Sequence, residues 1–202
     1  MKNLLLTAAL FASLPASAQT HRNAIKLNTI SLYLKTGSLF YEHQLRNDHS
    51  LNLGLLVANY SSNFKSGMHR TEGRGFALTG EYRFYAAGHG TSGWFVGPYL
   101  RFQHYGFTIT DTEYLYGPNT PPHTIVDRTQ LTTFGGGGVF GWKRTFGSHF
   151  CIEPFLGIGY AAGEVEDLTP NISYSVVIEN GIRGFELRPG FNLGYVFGKA
   201  AE

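Results

Sequence analysis

Cysteine is almost absent from this sequence of 202 residues, because Cys151 is the only one. A single cysteine excludes an intramolecular disulfide. Charged residues are also scarce, at 15 %, whereas soluble domains average about a quarter. The mean hydropathy of -0.12 excludes a protein built from several membrane-spanning helices. The net charge of +2 does not indicate nucleic-acid binding, which requires a concentrated basic patch.

Aromatic residues and glycine are what the sequence has in quantity, with 15 % aromatics and 26 glycines. The first 18 residues combine Lys2, an apolar run from Leu4 to Leu14 and the motif Ala16-Ser17-Ala18. This arrangement predicts a cleaved secretory signal peptide over residues 1–18. Residues 19–202 are then expected to form one exported domain.

The segment Phe185 to Phe197 alternates strictly between two kinds of side chain. Its odd positions are Phe185, Leu187, Pro189, Phe191, Leu193, Tyr195 and Phe197, and its even positions are mostly glycine or polar. A period of two predicts a β-strand with one apolar face. The segment slightly exceeds the roughly nine to eleven tilted residues that cross a bilayer.

Similar alternation predicts eight strands in total. They cover about Ile25 to Leu34, Ser38 to Arg46, Ser50 to Tyr60, Phe76 to Phe84, Trp94 to Gln103, Arg128 to Phe146, Phe150 to Tyr160 and Phe185 to Phe197. The parity of the first strand slips near Thr29, which predicts a β-bulge. Four consecutive glycines, Gly135 to Gly138, leave the register of the sixth strand open.

The connections between these strands alternate in length from the second strand onward. Short turns are expected near Asn47, Ala86 and Gly147, and long loops at 61–73, 109–125 and 163–181. Short turns at one end and long loops at the other are typical of transmembrane β-barrels. The sequence therefore predicts an all-β fold, an eight-stranded antiparallel up-and-down transmembrane β-barrel.

The less apolar face of the strands decides which side of the barrel meets lipid. It carries many glycines and a few charges, Glu42, Glu81, Arg83, Arg101, Glu153, Glu186 and Arg188. A soluble barrel would need a more polar outer face, whereas paired charges suit the narrow interior of eight strands. We expect these side chains to form a salt-bridged lumenal network that fills the barrel. A selective conduit or proton path is the alternative role for the same face.

Four further stretches carry a resemblance to a known family: 23–28 (NAIKLN), 38–42 (SLFYE), 97–101 (GPYLR) and 154–159 (PFLGIG). They resemble a family of small, uncharacterised outer-membrane barrels of Gram-negative bacteria and, more distantly, the OmpA and OmpX type. The resemblance implies a location in the bacterial outer membrane after export. It also implies that the last strand, with Phe191, Leu193, Tyr195 and Phe197, marks the chain for insertion by the barrel-assembly machinery.

The expected function is a structural or interaction role through the extracellular loops, with no enzymatic activity. Expected partners are outer-membrane lipid and lipopolysaccharide, the assembly machinery, and an extracellular protein or glycan. No catalytic residue, cofactor or metal site is predicted. Two alternatives remain open, a lipid-modifying outer-membrane enzyme and a soluble lipocalin-like barrel. His104 is the candidate for such an enzyme, although Tyr105 and Gly106 follow it and no His-x-Ser arrangement lies nearby.

Overall fold

A computed structural model describes residues 21–33, 35–46, 48–64, 69–86, 92–113, 123–147, 149–168 and 184–199. The predicted signal peptide lies outside these residues, as do residues 65–68, 87–91, 114–122 and 169–183, which fall largely in connections predicted from the sequence. The helical part of the described chain contains no segment with the length and hydropathy needed to span a bilayer.

Eight antiparallel strands pair in sequence order and close into a barrel, because β1 pairs with both β2 and β8. The strands are β1 His21–Asn28, β2 Thr36–Arg46, β3 His49–Phe64, β4 His69–Tyr85, β5 Gly93–Glu113, β6 His123–Phe146, β7 Phe150–Asp167 and β8 Gly184–Lys199. Closure leaves no free sheet edge along most of the wall. The predicted fold class is confirmed.

The first strand is shorter than predicted. It ends at Asn28 and is followed by one helical turn, α1 Thr29–Tyr33. The prediction of a β-bulge at Thr29 within a strand reaching Leu34 is therefore wrong. The side chain of Asn28 starts the turn by accepting a hydrogen bond of 3.0 Å from the backbone N–H of Ile30. Lys35 then ends it with a left-handed φ of 58° and donates its N–H to the carbonyl of Leu32.

The register of β6, which the glycine run left open, is continuous. β6 pairs with β5 from Lys143 opposite Gly93 to His123 opposite Glu113. Its other edge pairs with β7 from Phe146 opposite Phe150 to Thr129 opposite Asp167. The glycines thus lie inside a regular strand.

Outward-facing side chains form an apolar belt around the barrel. Its clearest runs occupy positions 76–84 of β4, 94–102 of β5, 134–142 of β6 and 150–160 of β7. Leu78, Leu100 and Phe140 are examples of these exposed apolar side chains. Each run has about the length of a tilted strand that crosses a bilayer. This barrel buries charged residues in its interior and exposes apolar residues on its outer surface. A soluble barrel has the reverse distribution.

Beyond this belt the strands continue as an outer extension, which we define as 58–64, 69–75, 103–113, 123–133 and 161–167. The loops predicted at 61–73, 109–125 and 163–181 contain strand residues of this extension at 61–64, 69–73, 109–113, 123–125 and 163–167, so those strand limits were wrong. Pairing is unbroken there, for example between Gly106 and Gln130. Alternating hydropathy could not reveal these segments, because apolar residues no longer dominate their outward face.

Candidate functional site

Buried charged side chains meet inside the barrel, at the height of the apolar belt. This central ion cluster consists of Lys26, Glu42, Glu81, Arg83, Lys143, Glu153 and Arg188. Alternation along each strand turns these residues inward, while their neighbours in sequence join the belt.

Glu42 on β2 accepts bonds from two lysines of other strands. Its Oε2 lies 2.9 Å from Lys26 Nζ and 2.8 Å from Lys143 Nζ. Its Oε1 accepts hydrogen bonds of 2.6 Å from the hydroxyls of Ser50 and Tyr85. Both carboxylate oxygens are therefore satisfied, as a buried charge requires.

Glu153 on β7 contacts both Lys26 and an arginine. Its Oε2 lies 2.7 Å from Lys26 Nζ and 3.0 Å from Arg83 Nη1. The side-chain amide of Asn192 donates a hydrogen bond of 2.7 Å to Oε1. Lys26 consequently connects the carboxylates of β2 and β7 across the interior.

Glu81 completes the cluster on β4. Its Oε2 accepts from Arg83 Nε at 2.8 Å and Nη2 at 2.5 Å, and from the amide of Asn52 at 2.9 Å. Its Oε1 accepts from Arg188 Nη2 on β8. The contacts among these three glutamates and their basic partners form one continuous network that spans the interior.

A second ion pair lies closer to the outer extension. Arg101 Nη1 on β5 is 3.0 Å from Glu186 Oε1 on β8. The hydroxyl of Tyr99 donates a hydrogen bond of 3.2 Å to Glu186 Oε2. The guanidinium of Arg188 lies 4.7 Å from the centre of the Tyr99 ring, which links this pair to the central ion cluster.

Aromatic rings pack against the buried cations. Phe40, Tyr85, Phe95, Tyr99, Val139 and Phe155 form a buried cluster inside the barrel. The guanidinium of Arg83 lies 4.3 Å from the ring centre of Phe95, and that of Arg188 lies 5.3 Å from Phe155. Arginine stacks on rings because its charge is delocalised and weakly hydrated.

Glycines on the facing strands make room for these rings. Phe40 is directly opposite Gly54, and Phe155 is directly opposite Gly190. A Cβ atom at either glycine would collide with the ring across from it. Such pairs explain why the inward face combines large rings with glycine, since a narrow interior cannot hold two large side chains side by side.

The charges of the central ion cluster and of the second ion pair nearly balance. The basic members are Lys26, Arg83, Arg101, Lys143 and Arg188, and the acidic members are Glu42, Glu81, Glu153 and Glu186, so the formal sum is 5 − 4 = +1. Buried pairs add little net stability over apolar packing, but removing one partner is costly. The central ion cluster therefore links side chains of β1, β2, β4, β6, β7 and β8 by ion pairs inside the barrel.

All the predicted lumenal residues point inward, but they form two groups. The structure brings Glu42, Glu81, Arg83, Glu153 and Arg188 together in the central ion cluster and places Arg101 and Glu186 in the separate pair. Sequence reasoning missed Lys26 and Lys143. The inward position of Lys26 was predictable from the sequence, because Lys26 lies between the apolar residues Ile25 and Leu27 on β1. Lys143 adjoins Arg144 in a strand of open register, and both are buried.

The residues of the predicted insertion strand face outward. Leu193 and Tyr195 are exposed, while Phe191 and Phe197 are half-buried. The Tyr195 ring stacks on His149 at 5.1 Å and on Phe197 at 6.4 Å between centroids. These rings lie at the end of the barrel where β1 starts and β8 ends.

His104, the candidate for an enzymatic site, lies on the outer face of β5. Its Nδ1 is 2.9 Å from the hydroxyl of Thr132. Its ring packs 6.1 Å from that of Phe76. Within the described ranges, no group of three or more histidine, cysteine, aspartate and glutamate side chains is arranged to hold a metal ion.

A family model matches residues 4–183, and its description reads "Protein of unknown function (DUF3575)". This chain belongs to that family. Among curated protein sequences, none matches it.

Several solved structures are similar to the barrel. A major outer membrane protein from Thermus thermophilus is 14 % identical, with a TM-score of 0.49 over 88 % of this chain and 100 % of that one. CarO of Acinetobacter baumannii is 11 % identical, with a TM-score of 0.49 over 89 % and 98 %. Ail, the attachment invasion locus protein of Yersinia pestis, is 12 % identical, with a TM-score of 0.46 over 88 % and 99 %.

Proposed function

We propose that this family member is a non-conducting outer-membrane barrel that presents its outer extension and loops to an extracellular protein or glycan. The central ion cluster carries the proposal. A water-filled channel needs an open lumen, whereas here buried ion pairs cross the interior from strand to strand. The interior then serves as a rigid core.

The apolar belt supports a location in a bilayer. Side chains such as Leu53, Leu100 and Leu187 are about half exposed, and lipid would cover them. Such a continuous exposed apolar surface is incompatible with a monomer in water. The lipids of the outer membrane, including lipopolysaccharide, are the partners that this surface fits after export.

The terminal strand supports assembly by the barrel-assembly machinery. Its outward residues Phe191, Leu193, Tyr195 and Phe197 form one apolar face near the chain end, as the resemblance to outer-membrane barrels implies. In the folded barrel β8 pairs with β1, so this strand closes the sheet.

The outer extension supports an interaction role. It carries a cleft of about 350 Å³ whose lining includes Glu72, Arg74, Arg128 and Gln130. Polar side chains placed by rigid strands are a typical basis for recognition, because they lose little entropy on binding. A partner with both charge signs or many hydroxyls would match this lining.

Cysteine labelling on intact cells tests the proposed location and orientation. In a Cys151→Ala background, Thr108→Cys places a thiol on the outward face of β5 in the outer extension. Leu100→Cys is the matched control on the same strand and face, within the belt. A membrane-impermeant maleimide should label residue 108 and leave residue 100 unlabelled. Labelling of residue 108 only after the outer membrane is broken would contradict the proposed orientation.

A further inference from the structure

The wall of the barrel has a notch between β8 and β2. β1 ends opposite Asn192 of β8 and opposite Leu39 of β2. Residues 184–191 of β8 and 36–38 of β2 extend past that point without a strand between them. The helical turn α1 occupies the gap, so the wall at this place is a short helix rather than a paired sheet.

Few polar contacts hold α1 in the notch. Thr29 Oγ1 donates a hydrogen bond of 3.0 Å to the carbonyl of Phe191, and Thr36 Oγ1 donates one of 2.9 Å to that of Ser31. Pro189 lies on the adjoining edge of β8, where its lack of an N–H is tolerated because no strand pairs there.

A cavity of about 310 Å³ lies directly inside this notch. Its inner lining includes Arg101, Gln103, Glu186 and Arg188. Its lining also includes Ile30 of α1 and the belt residues Leu55, Phe185 and Leu187. The cavity therefore connects a charged interior wall to the apolar outer surface of the barrel.

Two arginines in this lining have unused hydrogen-bond donors. Arg101 and Arg188 are each more than nine-tenths buried. Arg101 binds Glu186 through Nη1, and Arg188 binds Glu81 through Nη2. Arg101 Nε and Arg188 Nη1 have no hydrogen-bond partner among the described residues. Leaving such donors buried and unsatisfied is costly, and two guanidinium groups in one lining favour an anionic group in the cavity.

We propose that the cavity binds an amphiphile with one anionic headgroup and an alkyl chain. The headgroup lies at Arg101 and Arg188, and the chain leaves between α1 and β8 into the lipid beside Leu187. A free inorganic anion would use the arginines but not the apolar part of the lining. The cavity volume is at the lower end of small-molecule sites, which suits a headgroup with the first part of one chain.

Quenching of a tryptophan at the mouth of the notch tests this proposal. Trp94 and Trp142 are first replaced by Phe, and a single reporter is introduced as Leu187→Trp. Leu193→Trp is the matched control on the same face of β8, opposite Leu27 where the wall is closed. The protein is placed in phosphatidylcholine vesicles and titrated with 11-bromoundecanoate.

Saturable quenching is expected at residue 187, and quenching that merely follows lipid partitioning is expected at residue 193. Equal, unsaturable quenching at both positions would overturn the proposal. A heat-dependent mobility shift in electrophoresis confirms that each variant is folded.

The headgroup is tested separately. Arg101→Gln should weaken binding of 11-bromoundecanoate at least about tenfold, as expected for loss of a charge-assisted hydrogen bond. The neutral 11-bromoundecanol should likewise bind more weakly than the acid, a comparison that needs no interior variant. Equal affinity for acid and alcohol would contradict the role of the arginines.

Competition identifies the source of the anion. Dodecanoate and dodecyl phosphate should each displace the quencher, and the tighter competitor distinguishes a fatty carboxylate from a lipid phosphate. Displacement by inorganic phosphate as effectively as by dodecyl phosphate would overturn the alkyl-chain part of the proposal. These tests are independent of surface display, so they can fail while the proposed function stands.

Discussion

The barrel wall changes its chemical character between the apolar belt and the outer extension. In the belt, outward Leu100 is apolar and exposed, while inward Glu42 and Glu153 are charged and buried. In the extension, outward Arg128 is exposed and inward Leu131 is fully buried. The outward face of these strands therefore changes from apolar to polar along the barrel, while the inward face of the extension mixes Leu131 with the buried polar residues Asp127 and Thr129.

This difference follows from the medium around each part. Lipid favours apolar residues outside, so the polar residues of the belt region must pair within the interior. Water around the extension removes that requirement, and inward apolar residues such as Ile109 and Leu131 are buried there. Pairing between backbone groups is continuous through both parts and does not depend on this change.

The largest expected effect comes from breaking the central ion cluster. Glu42→Gln removes the carboxylate that Lys26 and Lys143 both contact. We expect a loss of about 3–5 kcal/mol in the free energy of unfolding, because the two lysines are then buried without that partner. Glu72→Gln is the matched change in the extension, where the pair with Arg70 is exposed and worth about 0–1 kcal/mol. Urea unfolding in vesicles measures both. Similar losses in the two variants would contradict the distinction between the two regions.

A charge placed on the outer face probes the boundary of the belt. Leu100→Arg should destabilise the barrel by about 2–4 kcal/mol, because it places a charge near the bilayer midplane. Thr108→Arg lies on the same face of β5 and should change stability by less than about 1 kcal/mol. The same unfolding experiment compares them, and a large loss at residue 108 would place the boundary of the bilayer further along the strand.

Substitutions in the glycine run of β6 should have a smaller effect on stability, and this effect should differ between the two faces of the strand. A Cβ atom at Gly137 would meet the backbone of Ile158 and Gly159, whereas nothing lies within 4 Å of one at Gly138. Gly137→Ala should therefore cost about 1–3 kcal/mol through overpacking. Gly138→Ala should be close to neutral. Unfolding free energies of the two variants test this, and equal costs would show that the run serves a backbone role on both faces.

Sequence alternation predicted the strands wherever the two faces differ strongly. The run from Phe185 to Phe197 and the charges at Glu81 and Glu153 are clear examples, because lipid and interior impose opposite demands on neighbouring residues. The same reasoning missed Arg74 and Thr108 as strand residues, since both lie where lipid no longer selects apolar residues. It also omitted Lys143, because the adjacent Arg144 obscures which of the two points inward.

The sequence pattern could not predict the helical turn α1 for a different reason. Residues 29–33 (TISLY) contain β-branched and aromatic side chains that favour strands. Thr29 bonds to β8, which is distant in sequence, and Ser31 bonds to β2 and to Asn28, which are near it in sequence. Together these hydrogen bonds override the preference for a strand. The notch and its cavity could not be predicted without the register of three strands.

Single-channel recording of the wild-type protein in planar bilayers tests the central claim most directly. The claim is that the ion cluster around Glu42, Glu81 and Glu153 closes the interior. Protein whose folding is verified by a heat-dependent mobility shift should insert without producing a steady conductance. A large, steady conductance from the same preparation would show that the interior is open and would contradict the account.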